Sequence, residues 1–179
     1  MKTIYLSVFL FSMLSFSQQS VSLDLDNDGI DDQVNCMNIE QGFKISYNLS
    51  SKKDKNFVTE TVTVGGQAQS LTASKNILIL KMQYNRAENY YKFRYSTKLA
   101  RVIMIGFDTK AYGNATNDGS GTSSLNLLTG DYQGKWKKFD AKTKTLVNKP
   151  VVVKKFTVKT YFLDDLSDMY LTTLDSFVK

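Results

Sequence analysis

The sequence contains no histidine, one cysteine and one proline among its 179 residues. Without histidine it lacks the most common general base and transition-metal ligand, which excludes the usual serine-hydrolase triads and zinc sites. A bound metal should therefore be a hard cation held by oxygen atoms. The single cysteine, Cys36, excludes an intramolecular disulfide. We expect it to be a small buried side chain, with a reactive thiol as the alternative.

The first 18 residues are typical of a signal peptide. Lys2 supplies a positive charge, residues 4–16 are apolar apart from three serines, and small residues at 15 and 17 suit cleavage near 17–19. The apolar run is shorter than the roughly 20 residues of a membrane-spanning helix. We therefore predict a signal peptide over 1–18 and a single domain over 19–179, periplasmic or secreted, without a stable membrane span.

The net charge is +6, and the lysines are scattered over several short stretches. A solvated basic surface is the simplest interpretation, and an acidic protein or an anionic polymer of the cell envelope is the alternative. We do not expect an exported protein to bind nucleic acid.

Runs of β-forming residues alternate with turn signals through the body of the chain. The run at 76–82 is continuously apolar, which is typical of a central buried strand. Apolar residues at spacings of three and four predict a short helix over 164–177. We predict a mainly β fold of antiparallel sheets, as a sandwich, small barrel or partial propeller, with a short C-terminal helix. The predicted strands are 42–49, 57–64, 76–82, 89–95, 101–107, 123–128, 131–139 and 151–158.

Residues 24–32, with the sequence DLDNDGIDD, carry the most specific pattern in the chain. Clustered carboxylates suit a hard cation that takes six to eight oxygen ligands, and Gly29 permits the sharp bend that such a loop needs. We expect the side chain of Ile30 to pack inward while its carbonyl faces the ion. A solvated acidic loop is the alternative. The predicted calcium ligands are the carboxylates of Asp24, Asp26, Asp28 and Asp32 and the carbonyl of Ile30.

This loop resembles those of dockerins, thrombospondin type 3 repeats and FG-GAP or VCBS-type repeats. It is also similar to an EF-hand loop, except that Asn35 stands where the EF-hand has its bidentate glutamate. The resemblance covers about nine residues and implies a calcium site. A wider likeness, through residues 15–18, 105–108 and 123–130, is to small uncharacterised exported proteins of Bacteroidota. The layout is also similar to periplasmic lysozyme inhibitors and immunity proteins.

The polar, glycine-containing stretch 113–123 is the second candidate site, although we expect a mobile hairpin loop there. Trp136 alternates in phase with Tyr132, so a place in the core is its simplest role, and an exposed binding residue is the alternative. The candidate partner-binding residues are Tyr112, Asn117, Asp118, Ser120 and Trp136.

Three functions are compatible with these patterns. The first is an exported, calcium-stabilised binding protein, such as an inhibitor or immunity protein against an envelope hydrolase. The second is a cell-surface or glycan-binding module, which should present exposed aromatic side chains. The third and least favoured is a hydrolase with paired carboxylates, because no acidic residue has a recognisable catalytic context.

Overall fold

A computed structural model describes residues 18–53, 55–63 and 68–177. They form two antiparallel sheets and a short C-terminal helix, which confirms the predicted fold class. Neither sheet closes into a barrel within these residues. The predicted signal peptide lies outside the described residues except for Gln18, which begins the first strand.

The first sheet has four strands in sequential order. The first strand pairs along its whole length with the second, from Gln18 opposite Met37 to Leu23 opposite Asp32. The loop between them carries the acidic residues. The strands are β1 (Gln18–Leu23), β2 (Asp32–Ile39), β3 (Gly42–Asn48) and β4 (Asn56–Val58).

The second sheet has the order β11-β10-β9-β8-β7-β6-β5, with β12 also pairing with β10. The predicted hairpins β7–β8 and β9–β10 are present. The strands are β5 (Ala68–Ser74), β6 (Ile77–Tyr84), β7 (Ala87–Ser96), β8 (Arg101–Ala111), β9 (Gly121–Asn126), β10 (Asp131–Asp140), β11 (Thr145–Asn148) and β12 (Val152–Lys155).

Both sheets contribute to one hydrophobic cluster. On β6, Leu78, Leu80 and Met82 are buried, whereas the alternate side chains Ile79 and Lys81 are only partly buried. The strand prediction over 76–82 is therefore confirmed, but the expectation of burial on both faces is wrong. An antiparallel sheet can leave one face to solvent, and the outer face of this sheet carries polar residues.

The predicted strand at 57–64 is interrupted. After β4, the hydroxyl of Thr59 accepts the backbone N–H of Ile45 at 3.0 Å, taking the place of a ladder carbonyl. From there to Thr63, where this described stretch ends, the chain makes only an isolated bridge at Val62. Serine and threonine side chains can compete with sheet hydrogen bonds in this way, which explains why a β-forming composition gives a short strand.

Four strands were not predicted, namely β1, β2, β5 and β11, and the last predicted strand is too long. The 151–158 run forms a strand only over β12, because Phe156 already donates its N–H to Gly130. The short β11 is exposed and has little apolar signal. The strands β1 and β2 flank the acidic loop, whose turn pattern dominates the sequence there.

The C-terminal segment is a short 3-10 turn, Leu163–Asp165, followed by α1, Asp168–Ser176. The predicted helix is confirmed but shorter, because Leu166 is extended and separates the two turns. Tyr170, Leu171 and Leu174 of α1 are buried in the shared core. No helix in the described part of the chain is long and apolar enough to cross a membrane.

Cys36 lies on β2 and is buried, as expected. Burial raises the pKa of its thiol to about 11, so little thiolate exists at neutral pH. Because the thiolate is the reactive form, this environment favours the packing role over the reactive one.

Arg101 joins the second sheet to the C-terminal segment. Its guanidinium donates to Asp164 at 2.6 Å and Asp165 at 3.0 Å and lies 3.6 Å from the centre of the Phe162 ring. We expect Arg101→Ala to lower the free energy of unfolding by about 1–2 kcal/mol, since these contacts are partly exposed. Urea denaturation measures the change. Arg94→Ala, which removes an arginine outside every ion pair among the described residues, should cost less than about 0.5 kcal/mol.

Candidate functional site

The β1–β2 loop brings three carboxylates together. Each of Asp24, Asp26 and Asp28 offers an oxygen within 4.8 Å of the others. The loop is shaped by Asp24, whose carboxylate accepts the N–H groups of Asp28 at 3.1 Å and Gly29 at 3.0 Å. Gly29 has φ of 88°, a conformation that glycine adopts at low cost.

Two serines of the 3-10 turn Ser50–Lys52 hold this cluster from the other side. The Ser50 hydroxyl donates to Asp28 at 2.7 Å, and the Ser51 hydroxyl donates to Asp26. The acidic loop is therefore attached to the segment that follows β3.

One oxygen of the cluster is buried and has no hydrogen-bond partner. Asp26 is 7% exposed, and its Oδ1 atom accepts no hydrogen bond. A buried carboxylate oxygen without a donor is costly, whereas a cation would satisfy it. Three converging carboxylates and an unpaired buried oxygen fit a hard cation.

Asp32, a further predicted ligand, does not belong to this cluster of carboxylates. Asp32 is buried at the start of β2, and its carboxylate accepts the N–H groups of Leu25 at 2.8 Å, Asp26 at 3.1 Å and Ser50 at 2.6 Å. Ile30 is 56% exposed, so the expectation that its side chain packs inward is wrong. Leu25, which is fully buried, anchors the loop to the core instead.

The carboxylate of Asp32 thus fixes the conformation of the loop by accepting backbone N–H groups. Replacing it with alanine leaves three N–H groups without their acceptor, and we expect unfolding to become easier by about 3 kcal/mol or more. Chemical denaturation in chelator measures this effect apart from any metal. The neighbouring, exposed Asp31 serves as the control, and Asp31→Ala should change stability by less than about 1 kcal/mol. Equal losses for both variants would contradict the role assigned to Asp32.

The second candidate site is a groove of about 560 Å³ where β8, β9 and β10 meet the segment between β11 and β12. Four of the five predicted partner-binding residues line it, namely Tyr112, Asn117, Ser120 and Trp136. The fifth, Asp118, is used structurally, since its carboxylate accepts the N–H of Phe139 at 2.7 Å. The lining residues are 110–112, 117, 120–122, 135–137, 148, 149 and 151.

The loop between β8 and β9 is held by an ordered set of hydrogen bonds, in contrast to the mobile loop expected from the sequence. Gly119 donates to the carbonyl of Lys137 at 3.0 Å, and Lys137 donates to that of Ser120 at 2.8 Å. Arg86 donates to the carbonyls of Gly113 and Asn114. These bonds fix Asn117 and Ser120 beside the groove.

The indole of Trp136 lies on the opposite face of β10 from Lys135. A Cβ atom on Gly134 would lie 2.6 Å from the indole Nε1 and 2.8 Å from the hydroxyl of Tyr132, which belongs to the core. The buried positions of β10 end at Gly134, and Trp136, the next residue on that face in the middle of the strand, is only partly buried. The expected core role is therefore only partly met, and Tyr112 and Trp136 do not form a shared aromatic platform.

A second depression, of about 410 Å³, adjoins the groove on the outer face of the same sheet. The two share Lys110, Thr122 and Lys135, and we call them together the outer-face trough. Lys110 and Lys135 both lie opposite Thr122 in the strand register, so the three residues form one row across β8, β9 and β10.

The carboxylates on this face already have cationic partners. Asp108 pairs with Lys92 and accepts the hydroxyl of Ser124, while Glu88 pairs with Lys81 at 2.9 Å. The Tyr90 hydroxyl and the Lys81 ammonium lower the pKa of Glu88 to about 2, so this carboxyl is ionised at neutral pH. A general acid needs a raised pKa, and Glu88 is therefore poorly suited to that role.

The sequence did not single out Lys110, Lys135, Lys137 or Lys149 as site residues. The alternation of lysines at 135 and 137 in a predicted strand indicates one exposed face. Only the register across three strands places Lys110 beside them, and a single sequence does not determine that register.

Comparisons of the chain with protein-family models, with curated proteins and with solved structures found no match.

Proposed function

We propose that this chain is an exported, calcium-stabilised binding protein of the periplasm or extracellular space, and that it is not an enzyme. The observation that carries the calcium part is the unpartnered, buried oxygen of Asp26 within the Asp24–Asp26–Asp28 cluster. Oxygen-only ligands and a net negative charge favour calcium among common cations. The partner would be a protein or glycan of the cell envelope.

In this proposal, calcium contributes stability. The three aspartates would hold the ion, which would neutralise their mutual repulsion and fix the loop against the turn at 50–52. A ligand that binds only the folded state stabilises it by about 2.7 kcal/mol at a hundredfold excess over its dissociation constant.

We expect calcium to raise the melting temperature of the chelator-treated protein, with saturable binding by titration calorimetry. Asp26→Asn should abolish most of this rise, because it removes a charge and a ligand while conserving shape. In chelator, this variant should melt no lower than the wild type, since it relieves repulsion among the carboxylates.

Asp31→Asn is the matched control, because it removes the same charge from a carboxylate outside the cluster. It should retain the full response to calcium. A wild-type melting curve that is identical in calcium and in chelator would contradict the proposed site.

Binding is favoured over catalysis by the electrostatics of the outer-face trough. Its carboxylate, Asp108, is engaged by Lys92 and Ser124, and the nearby Glu88 has a depressed pKa. A carboxylate hydrolase needs one acid that stays protonated near neutral pH. The trough instead offers lysines, hydroxyls and amides, which suit recognition.

Export predicts that the mature chain begins close to β1. Cleavage after Ser17 leaves all six pairs between β1 and β2 intact, whereas cleavage after Gln19 removes two of them and the hydrogen bond from the N–H of Leu71 to Gln19. We therefore expect intact-mass analysis of the protein from periplasm or medium to show a chain starting at Gln18, one residue before the boundary predicted from the sequence. A cytoplasmic protein that keeps Met1 would contradict export.

A hydrolase inhibitor or immunity protein is a second form of the same function. The exposed residues Asn114 and Asn117 lie in a loop fixed by hydrogen bonds, which suits insertion into the cleft of an enzyme. A preorganised loop loses little entropy when it binds.

A further inference from the structure

We propose that the outer-face trough binds an acidic polysaccharide, a linear chain of sugar rings that carries carboxylate or sulfate groups. This inference rests on the proposed binding function, and it names the ligand class and the surface.

The outer-face trough is lined by more cations than anions. Glu88, which lies opposite Lys110 in the strand register, is bound by Lys81 and Tyr90, and Asp108 is bound by Lys92. Lys110 and Lys135 take part in no ion pair within the described ranges. Lys137 and Lys149 add further positive charge in the groove. Such a surface attracts an anion.

The shape of the outer-face trough suits an extended ligand. Lys110 and Lys135 lie on strands separated by one intervening strand, so their backbones are about 10 Å apart. The depressions on either side of this row are continuous through Thr122. Charges distributed along an open channel suit a polymer with repeated anionic groups better than a single small anion.

The outer-face trough also contains tyrosine rings that can pack against sugar rings. Tyr112, 36% exposed, lies in one depression, and the partly buried Tyr90 lies in the other. Aromatic rings pack against the apolar faces of sugars and present a polar edge. Thr122, Ser124 and Gln133 supply hydroxyl and amide groups between them, which can exchange hydrogen bonds with sugar hydroxyls.

The cations in the trough are all lysines. Arginine is preferred where a protein grips phosphate in two-point contacts, as in nucleic-acid recognition. Lysine acts as a point charge that accepts varied anion geometries, which suits carboxylates or sulfates on a flexible glycan. An acidic polypeptide would satisfy the charge but would make no use of the tyrosine rings.

The test uses the calcium-loaded protein and fluorescence anisotropy of labelled polymers. Hyaluronan oligosaccharides, with a carboxylate on alternate sugars, are the acidic glycan, and neutral dextran, polyglutamate and oligothymidylate are the comparisons. We expect hyaluronan to bind more tightly than the other three, with an affinity that falls as salt is added. Polyglutamate or oligothymidylate binding as tightly as hyaluronan would overturn the glycan assignment.

The variants locate the site. Lys110→Ala combined with Lys135→Ala should weaken hyaluronan binding roughly tenfold. Lys98→Ala combined with Lys142→Ala removes the same charge from exposed positions outside the trough and should leave binding unchanged. Tyr112→Ala should weaken binding of hyaluronan but not the weaker binding of polyglutamate. Equal losses in the two double variants would overturn the location.

A further binding measurement distinguishes failure of the glycan ligand from failure of the proposed binding function. If hyaluronan fails to bind, the same variants are compared for binding to an unfractionated envelope extract. A loss confined to the trough variant would retain the binding function and overturn the glycan ligand. No binding of the extract by the wild type would overturn both.

Discussion

The buried carboxylate of Asp32 is the interaction on which the acidic loop depends. It accepts three backbone N–H groups. Leu25 and Asp26, which follow β1, donate two of them, and Ser50 donates the third. These bonds close the loop around Leu25, which is fully buried. With the backbone closed in this way, the other three carboxylates have little freedom to separate. Their convergence is therefore a consequence of the fold, and it produces a group of carboxylates that could hold a metal ion.

The two faces of the second sheet differ in their surroundings. Its inner side chains pack with the first sheet and α1 in a common core. Its outer face has no second layer among the described elements, so its polar residues pair with one another across strands. Lys110 and Lys135 take part in no ion pair among the described residues, although Lys110 lies opposite Glu88 in the register. These two neighbouring lysines are the feature of this face that supports the proposed binding role.

The sequence predicted those features that depend on local periodicity. Alternating residues located β3, β7, β8 and β10, and the spacing of aspartates located the three carboxylates that converge. It could not distinguish Asp32 from its neighbours, because a ligand and a backbone acceptor both require a buried carboxylate close to the loop. The break after Val58 was also hidden, since Thr59 favours a strand by propensity but interrupts it with its hydroxyl.

Features that depend on register were beyond the sequence. Trp136 illustrates this limit: its phase with Tyr132 correctly gave the face of the strand, but only the tertiary structure shows that this part of β10 lies beyond the core. Lys110 is likewise a candidate site residue only because it lies near Lys135. The two lysines are 25 positions apart in the chain and two strands apart in the sheet. A pairing register is set by the whole sheet, so no single run of residues contains it.

The two sites lie toward opposite ends of β8. The acidic loop contacts Asn76, in the turn before β6, and the 3-10 turn Ser50–Lys52 contacts Ala100, just before β8 begins. Tyr112 follows the other end of β8, an 11-residue strand that spans about 33 Å. The row between Lys110 and Lys135 is held by uninterrupted ladder bonds that involve no residue of the acidic loop. A cation bound at the loop would therefore act on the attachment of the first sheet and on overall stability, and would leave the geometry of the trough unchanged.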